Sequence, residues 1–155
     1  MKKILLLAAF LGTLATGFAA GIYALPIMIA PPSPDNAVLS KVIAEAEYTA
    51  TFEPDIPGSD FLHWGEGRVG ISNNQVAFIG ELAPGPDYRV YLVPQYVNSD
   101  KEFLAVKSSA LQLGEVNTFK NFLVEFDQQV DFTQYNTVLV WCETFQKYIS
   151  ASQFR

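Results

Sequence analysis

The stretch TVLVWC, residues Thr137–Cys142, decides the fold. Five of its six residues are apolar, and it combines β-branched side chains with an aromatic ring. A short run of this kind is typical of a strand that is buried on both faces. Because successive side chains alternate along a strand, Trp141 and Cys142 are expected to point to opposite faces. The stretch therefore predicts a central strand with an indole on one face and a thiol on the other.

Short segments with a period of two surround this strand from Phe61 onward, whereas Lys101–Ala110 shows no clear pattern. No long amphipathic helix interrupts them, which indicates a mainly β domain, an antiparallel β-sandwich or a barrel-like domain. The glycine-rich segment HWGEGRVGIS, residues 63–72, predicts a twisted or bulged strand that ends at the turn 72–74. The further predicted strands are Gln75–Leu82, Tyr88–Val93, Leu111–Val116, Phe119–Phe126 and Phe145–Ile149.

The N-terminus predicts one transmembrane helix before the β-domain. Residues 4–30 contain no charged residue, and a helix of about 20 apolar residues crosses the hydrocarbon core. Lys2 and Lys3 favour a cytoplasmic N-terminus, so a single-pass anchor places the domain on the periplasmic or extracellular side. The alternative is a cleaved signal peptide with the small residues Gly17, Ala19 and Ala20 at its cleavage site, but the apolar region of such a peptide is normally only about 7–15 residues long. Both alternatives export the domain.

Small residues repeat along this apolar segment. Gly17 and Gly21 form a GxxxG pair, and Thr13 lies one step earlier on the same stripe. This spacing lets two membrane helices approach closely, which would give a homodimer through the transmembrane helix. The alternative is that glycine is simply common in membrane helices.

Proline marks the boundary between the apolar segment and the rest of the chain. The cluster of Pro31, Pro32 and Pro34 predicts an extended stalk. A short helix from about Ala37 to Ala46 then follows, capped by Asp35 or Asn36. The predicted organisation is an N-terminal membrane anchor, a Pro-rich stalk with the short helix, and the β-domain, at residues 1–30, 31–60 and 61–155.

Charge and cysteine content exclude some classes of function. All 16 acidic residues and all but two of the 10 basic residues follow the apolar segment, and no basic patch appears. A nucleic-acid partner is therefore excluded, because binding phosphates needs clustered lysine and arginine. Cys142 is the only cysteine, so no disulfide forms within the chain.

Two motifs carry a resemblance to a known family. The first is Gly85-Pro86-Asp87 followed by Tyr91, and the second is Trp141-Cys142 with Phe145 three residues after the cysteine. Together with the glycine-rich segment HWGEGRVGIS, they resemble the DM-thirteen electron-transfer domain over about Phe61 to Phe154. The resemblance implies an extracytoplasmic β-domain whose cysteine acts in redox chemistry, either as a bare thiol or as a ligand to haem.

The numbers of histidine and cysteine residues limit which redox cofactors one chain can hold. His63 is the only histidine and Cys142 the only cysteine, which excludes blue copper, structural zinc and an iron–sulfur cluster within one chain. Covalent haem needs a C-x-x-C-H motif, and the sequence has none. Noncovalent haem remains, with Cys142 as the axial ligand and His63 as the second protein ligand.

Two functions are consistent with these observations. The first is a membrane-anchored redox or electron-transfer domain centred on Cys142, which exchanges electrons with an unidentified partner protein. A thiol in a central strand normally has a raised pKa, so this function is expected to need a bound group rather than a bare thiol. The second is a non-catalytic binding or structural module of the cell envelope with a buried, silent Cys142. Either is favoured over a stand-alone enzyme, because nothing in the sequence places His63 beside Cys142.

Overall fold

The computed structural model describes all residues 1–155, and it forms two antiparallel four-stranded sheets behind a long N-terminal helix. In chain order the elements are α1 Lys2–Ile29, α2 Asn36–Ala44, β1 Tyr48–Phe52, β2 Gly65–Ser72, β3 Gln75–Leu82, β4 Tyr88–Val93, α3 Asp100–Val106, β5 Leu111–Val116, β6 Phe122–Glu125, β7 Thr137–Cys142 and β8 Lys147–Gln153. The predicted fold class, a mainly β domain preceded by a helix, is confirmed, and the two sheets form a sandwich.

The order of the strands explains the burial of the decisive stretch. One sheet has the order β1-β2-β3-β6 and the other has the order β5-β4-β7-β8. Strand β7 therefore has a neighbour on each side, and all six of its residues are buried. The prediction of a central strand at Thr137–Cys142 is confirmed.

The two faces of β7 belong to different hydrophobic clusters. Cys142 and Val140 lie in the larger cluster, which fills the space between the two sheets. Trp141 and Leu139 lie in a second cluster on the outer face of their sheet, under α3. This confirms that the thiol and the indole point in opposite directions, as the alternation of a strand requires.

Two elements were not indicated by the sequence. Strand β1 lies in the segment that was assigned to the stalk, yet it pairs with β2 and buries Ala50 and Phe52. Helix α3 lies in the stretch that showed no clear pattern. It begins after Ser99, whose side chain accepts a hydrogen bond from Glu102 N, and it buries Phe103 over the second sheet.

The N-terminal helices differ in what they contact. Helix α2 has the predicted cap, since Asp35 accepts a hydrogen bond from Ala37 N, and it packs Leu39 and Ile43 on the first sheet. Helix α1 has 28 residues and is long and apolar enough to span a membrane. At about 1.5 Å per residue it is about 42 Å long. Its last turns reach the β-domain beside Cys142.

Two glycines allow β2 and β3 to pair closely. Gly67 has a φ of 150° and faces Gly80 across the two strands. A Cβ atom on Gly80 would lie 2.0 Å from the carbonyl oxygen of Glu66, which is a backbone atom and cannot move aside cheaply.

We expect Gly80→Ala to lower the free energy of unfolding by about 1–3 kcal/mol, the usual cost of overpacking. The measurement is denaturant unfolding of the detergent-solubilised chain, followed by circular dichroism. Gly12→Ala is the matched control, because a Cβ built at Gly12 meets no atom within 4 Å apart from its own stretch of α1, and Gly12 lies outside the Gly17–Gly21 pair. Equal unfolding midpoints for the two variants would contradict the packing described for β2 and β3.

Candidate functional site

Asp87 joins the two sequence motifs physically. Its carbonyl oxygen accepts a hydrogen bond from Glu143 N at 2.9 Å, and its carboxylate accepts one from Thr144 Oγ1 at 3.2 Å. Strand β4 then begins with Tyr88, which pairs directly with Cys142 at the end of β7. The segment before β4 and the turn after β7 therefore form one unit around the cysteine.

A cavity of about 150 Å³ lies beside Cys142. Helix α1 contributes Ala19, Ile22 and Tyr23 to its wall. From the β-domain, both motifs and the segment before β2 contribute, through His63, Gly85, Pro86, Tyr88, Cys142 and Phe145. The structure therefore brings the only histidine and the only cysteine to one cavity, although no direct bond joins them.

Cys142 is shielded and protonated at neutral pH. Only 2 % of the residue is exposed. Burial raises the pKa of the thiol, and backbone hydrogen bonds from Phe145, Asp87 and Thr144 oppose this shift without reversing it. Of the cations on neighbouring strands, Arg89 pairs with the carboxylates of Asp87 and Glu115.

His63 is held by a neighbouring carboxylate. Its Nδ1 lies 2.9 Å from both carboxylate oxygens of Asp60, which also accepts a hydrogen bond from Leu62 N. Burial tends to raise the pKa of Asp60, but the bonds from His63 and Leu62 outweigh it, and this pKa lies below its usual range. The Nε2 of His63 has no protein partner. Asp60 was missed in the sequence, although the D-x-x-H spacing is a signal that could have found it.

The remaining motif residues divide between the cavity and the outer face of the second sheet. Gly85, Pro86 and Phe145 line the cavity. A Cβ atom at Gly85 would lie 2.4 Å from the hydroxyl oxygen of Tyr88, so a side chain at this position would disturb the wall. Tyr88 itself donates a hydrogen bond to the carbonyl oxygen of Ala83 at 2.7 Å.

Tyr91 of β4 and Trp141 of β7 lie on the outer face of the second sheet, in the cluster under α3. The Tyr91 hydroxyl contacts the carboxylate of Glu143, which also pairs with Lys107. Trp141 is fully buried, with its ring centroid 4.8 Å from that of Phe103. Neither side chain lines the cavity. Both side chains contribute to the packing of the outer face and not to the cavity wall.

Haem does not fit the cavity in this structure. Cys142 and His63 are donor types that haem iron accepts. However, the cavity has about 150 Å³, whereas pockets for drug-sized ligands have about 300–1,000 Å³, and α1 closes one side. No cluster of three histidine, cysteine, aspartate or glutamate side chains is placed to hold a metal ion.

Comparison with known families identifies the domain that carries this site. A family model described as electron transfer DM13 matches residues 58–154. The chain belongs to the DM13 electron-transfer family. The matched range contains both motifs, Cys142 and His63, which confirms the resemblance seen in the sequence. No curated protein and no solved structure matches the chain.

The shielding of the DM13 cysteine gives a prediction for its chemistry. We expect Cys142 in the native chain to react with iodoacetamide at neutral pH at least about a hundredfold more slowly than in the unfolded chain, since reaction requires local opening. The thiolate is the form that reacts, and the pKa of Cys142 is raised. The reaction rate of the native chain should therefore continue to increase with pH beyond the pH at which the rate of an ordinary cysteine becomes constant. Mass spectrometry measures both rates. Equal rates in the native and unfolded chains would contradict the burial of Cys142.

Proposed function

We propose that this chain is a membrane-anchored, extracytoplasmic electron-transfer domain whose redox site is the cavity between Cys142 and His63. One observation carries the proposal: residues of both motifs, the sulfur-bearing Cys142 and the imidazole-bearing His63 all line the same cavity. The family description, electron transfer, supports the same function. An unidentified redox partner protein would exchange electrons with this site.

The chemistry of the two side chains favours a bound carrier over a bare thiol. The Cys142 thiol is buried and its pKa is raised, so little thiolate is present for direct exchange. His63, oriented by Asp60, has a free ring nitrogen that can accept a proton or a hydrogen bond. The site is therefore suited to hold a small redox molecule next to the sulfur, with the imidazole as its polar contact.

The anchor belongs to the same proposal. Helix α1 retains the chain in the membrane, Lys2 and Lys3 keep its N-terminus in the cytoplasm, and residues 61–155 form the exported domain. Residues 30–35 connect α1 to α2, α2 packs on the first sheet and β1 pairs into it, so only the start of the predicted stalk 31–60 acts as a connector. A homodimer through Gly17 and Gly21 stays a prediction.

We expect the full chain to stay in the membrane pellet after high-salt and carbonate washing, because about 20 apolar residues suffice for stable insertion and the uncharged run 4–30 is longer than that. A matched chain without residues 1–30 should be found in the soluble fraction. Immunoblotting of both fractions and mass spectrometry of the N-terminus give the answer. A soluble product that begins near Ala20 would show instead that the segment is a cleaved signal peptide.

A redox titration tests the electron-transfer proposal. The full chain is purified in mild detergent, and its absorption spectrum is recorded under anaerobic conditions while the potential is stepped in both directions. We expect a reversible change that is absent from Cys142→Ala. Ser150→Ala is the control, because it also removes one buried side-chain atom but lies outside the cavity.

The second candidate function is a structural or binding module of the envelope. The observation in its favour is that Cys142 is only 2 % exposed, which is typical of a cysteine that acts as a small apolar residue. If the unsubstituted chain showed no reversible redox change, and Cys142→Ala gave the same spectra as the unsubstituted chain, the result would support this function and overturn the first.

A further inference from the structure

We propose that the cavity beside Cys142 binds the head group of a membrane quinol. This inference rests on the proposed function, because it names the carrier that the electron-transfer site holds. Oxidation of the quinol to the quinone releases two electrons, which pass to the redox partner protein, and two protons, which pass to water outside the membrane. Three observations carry it: the volume of the cavity, its position at the end of α1, and the free nitrogen of His63.

The volume of the cavity suits a ligand with a single ring. The cavity has about 150 Å³, and an apolar cavity of about this size in another protein binds benzene. Tyr23, Tyr88 and Phe145 are three of the 11 residues that line the cavity, and aromatic neighbours suit a flat six-membered ring. A quinol head group is such a ring, whereas a haem macrocycle is not.

The position of the cavity along α1 favours a ligand that resides in the membrane. Ala19 lies about 26 Å along α1 from Lys2, and the hydrocarbon core is about 30 Å thick. Ala19, Ile22 and Tyr23 therefore lie near the outer edge of the hydrocarbon core when α1 spans the membrane. A head group held between these residues and the β-domain can leave its apolar tail in the lipid.

The hydrogen-bonding capacity of His63 distinguishes quinol from quinone. In the neutral ring, Nδ1–H donates to Asp60, which leaves Nε2 as an acceptor without a protein partner. A quinol hydroxyl can donate to Nε2, whereas a quinone carries only acceptor oxygens at the same places. We therefore expect tighter binding of the reduced form.

The test is saturable binding of decylubiquinol to the full chain in lipid nanodiscs under anaerobic conditions, corrected for empty nanodiscs. Ala19→Trp fills the cavity from α1 and leaves every residue of the β-core unsubstituted, and we expect it to weaken binding by at least about tenfold. Ala20→Trp is the matched control, because Ala20 is exposed and does not line the cavity; its affinity should stay within about twofold of the unsubstituted chain.

A second variant tests the polar contact. His63→Ala should reduce the preference for decylubiquinol over decylubiquinone by about tenfold or more, since the lost bond is made only with the reduced form. Absence of saturable binding, or equal weakening by the two tryptophan variants, would overturn the inference.

The two proposals fail in different ways. A reversible redox change that depends on Cys142, without saturable quinol binding, would leave the electron-transfer site standing and remove the quinol. Quinol binding that Ala19→Trp weakens, in a chain without redox change, would make the cavity a binding site only and remove the electron-transfer function.

Discussion

Replacing Trp141 by alanine is expected to lower the free energy of unfolding by about 3–5 kcal/mol. The indole is fully buried in the outer cluster of the second sheet, against Phe103 of α3, and Lys107 Nζ lies 5.7 Å from its ring centroid. Truncation would leave a cavity between β7 and α3 that neither element can close without moving. Denaturant unfolding followed by far-ultraviolet circular dichroism measures the loss without relying on tryptophan fluorescence.

Two further variants show which property of the indole matters. Trp64→Ala removes the other tryptophan, which is only partly buried, and should lower the free energy of unfolding much less than Trp141→Ala does. Trp141→Phe keeps most of the volume and removes the buried Nε1, which has no hydrogen-bond partner, so it should cost less than about 1.5 kcal/mol. If Trp141→Ala lowered the free energy of unfolding no more than Trp64→Ala does, the packing described for Trp141 between β7 and α3 would be contradicted.

Much of the fold followed from short-range patterns. Four predicted strands have the bounds found in the structure, Gln75–Leu82, Tyr88–Val93, Leu111–Val116 and Thr137–Cys142. In these segments the alternation or continuous burial of apolar side chains is strong. Strand β1 was missed because it is a short edge strand. Only its pairing with β2, which is distant in sequence, buries Ala50 and Phe52.

The candidate site was predictable in part. The sequence singled out Cys142, His63 and the motif around Gly85, but it did not show that these residues share a cavity. Their meeting depends on the pairing of β4 with β7 and on the hydrogen bonds of Asp87, which are contacts between distant segments. The contribution of α1 was not predictable either, because an apolar anchor carries no pattern that indicates a partner on the domain.

Replacing Cys142 by serine is expected to reduce the rate of electron exchange by at least about a hundredfold, equivalent to about 2.7 kcal/mol, while the fold persists. The two side chains are close in size. A hydroxyl at this place can use the backbone hydrogen bonds from Phe145 and Thr144 that now reach the sulfur, so the loss of stability should be only about 1 kcal/mol. Loss of function with retained structure would separate a redox cysteine from a structural one.

The most direct measurement is protein-film voltammetry of the full chain in a lipid film, comparing the unsubstituted chain with Cys142→Ser and with the Ser150→Ala control. An electron-transfer site at Cys142 predicts a reversible wave for the unsubstituted chain and for Ser150→Ala, and none for Cys142→Ser. A wave of equal size in Cys142→Ser, or no wave in any of the three, would contradict the assignment of this cavity as the redox site.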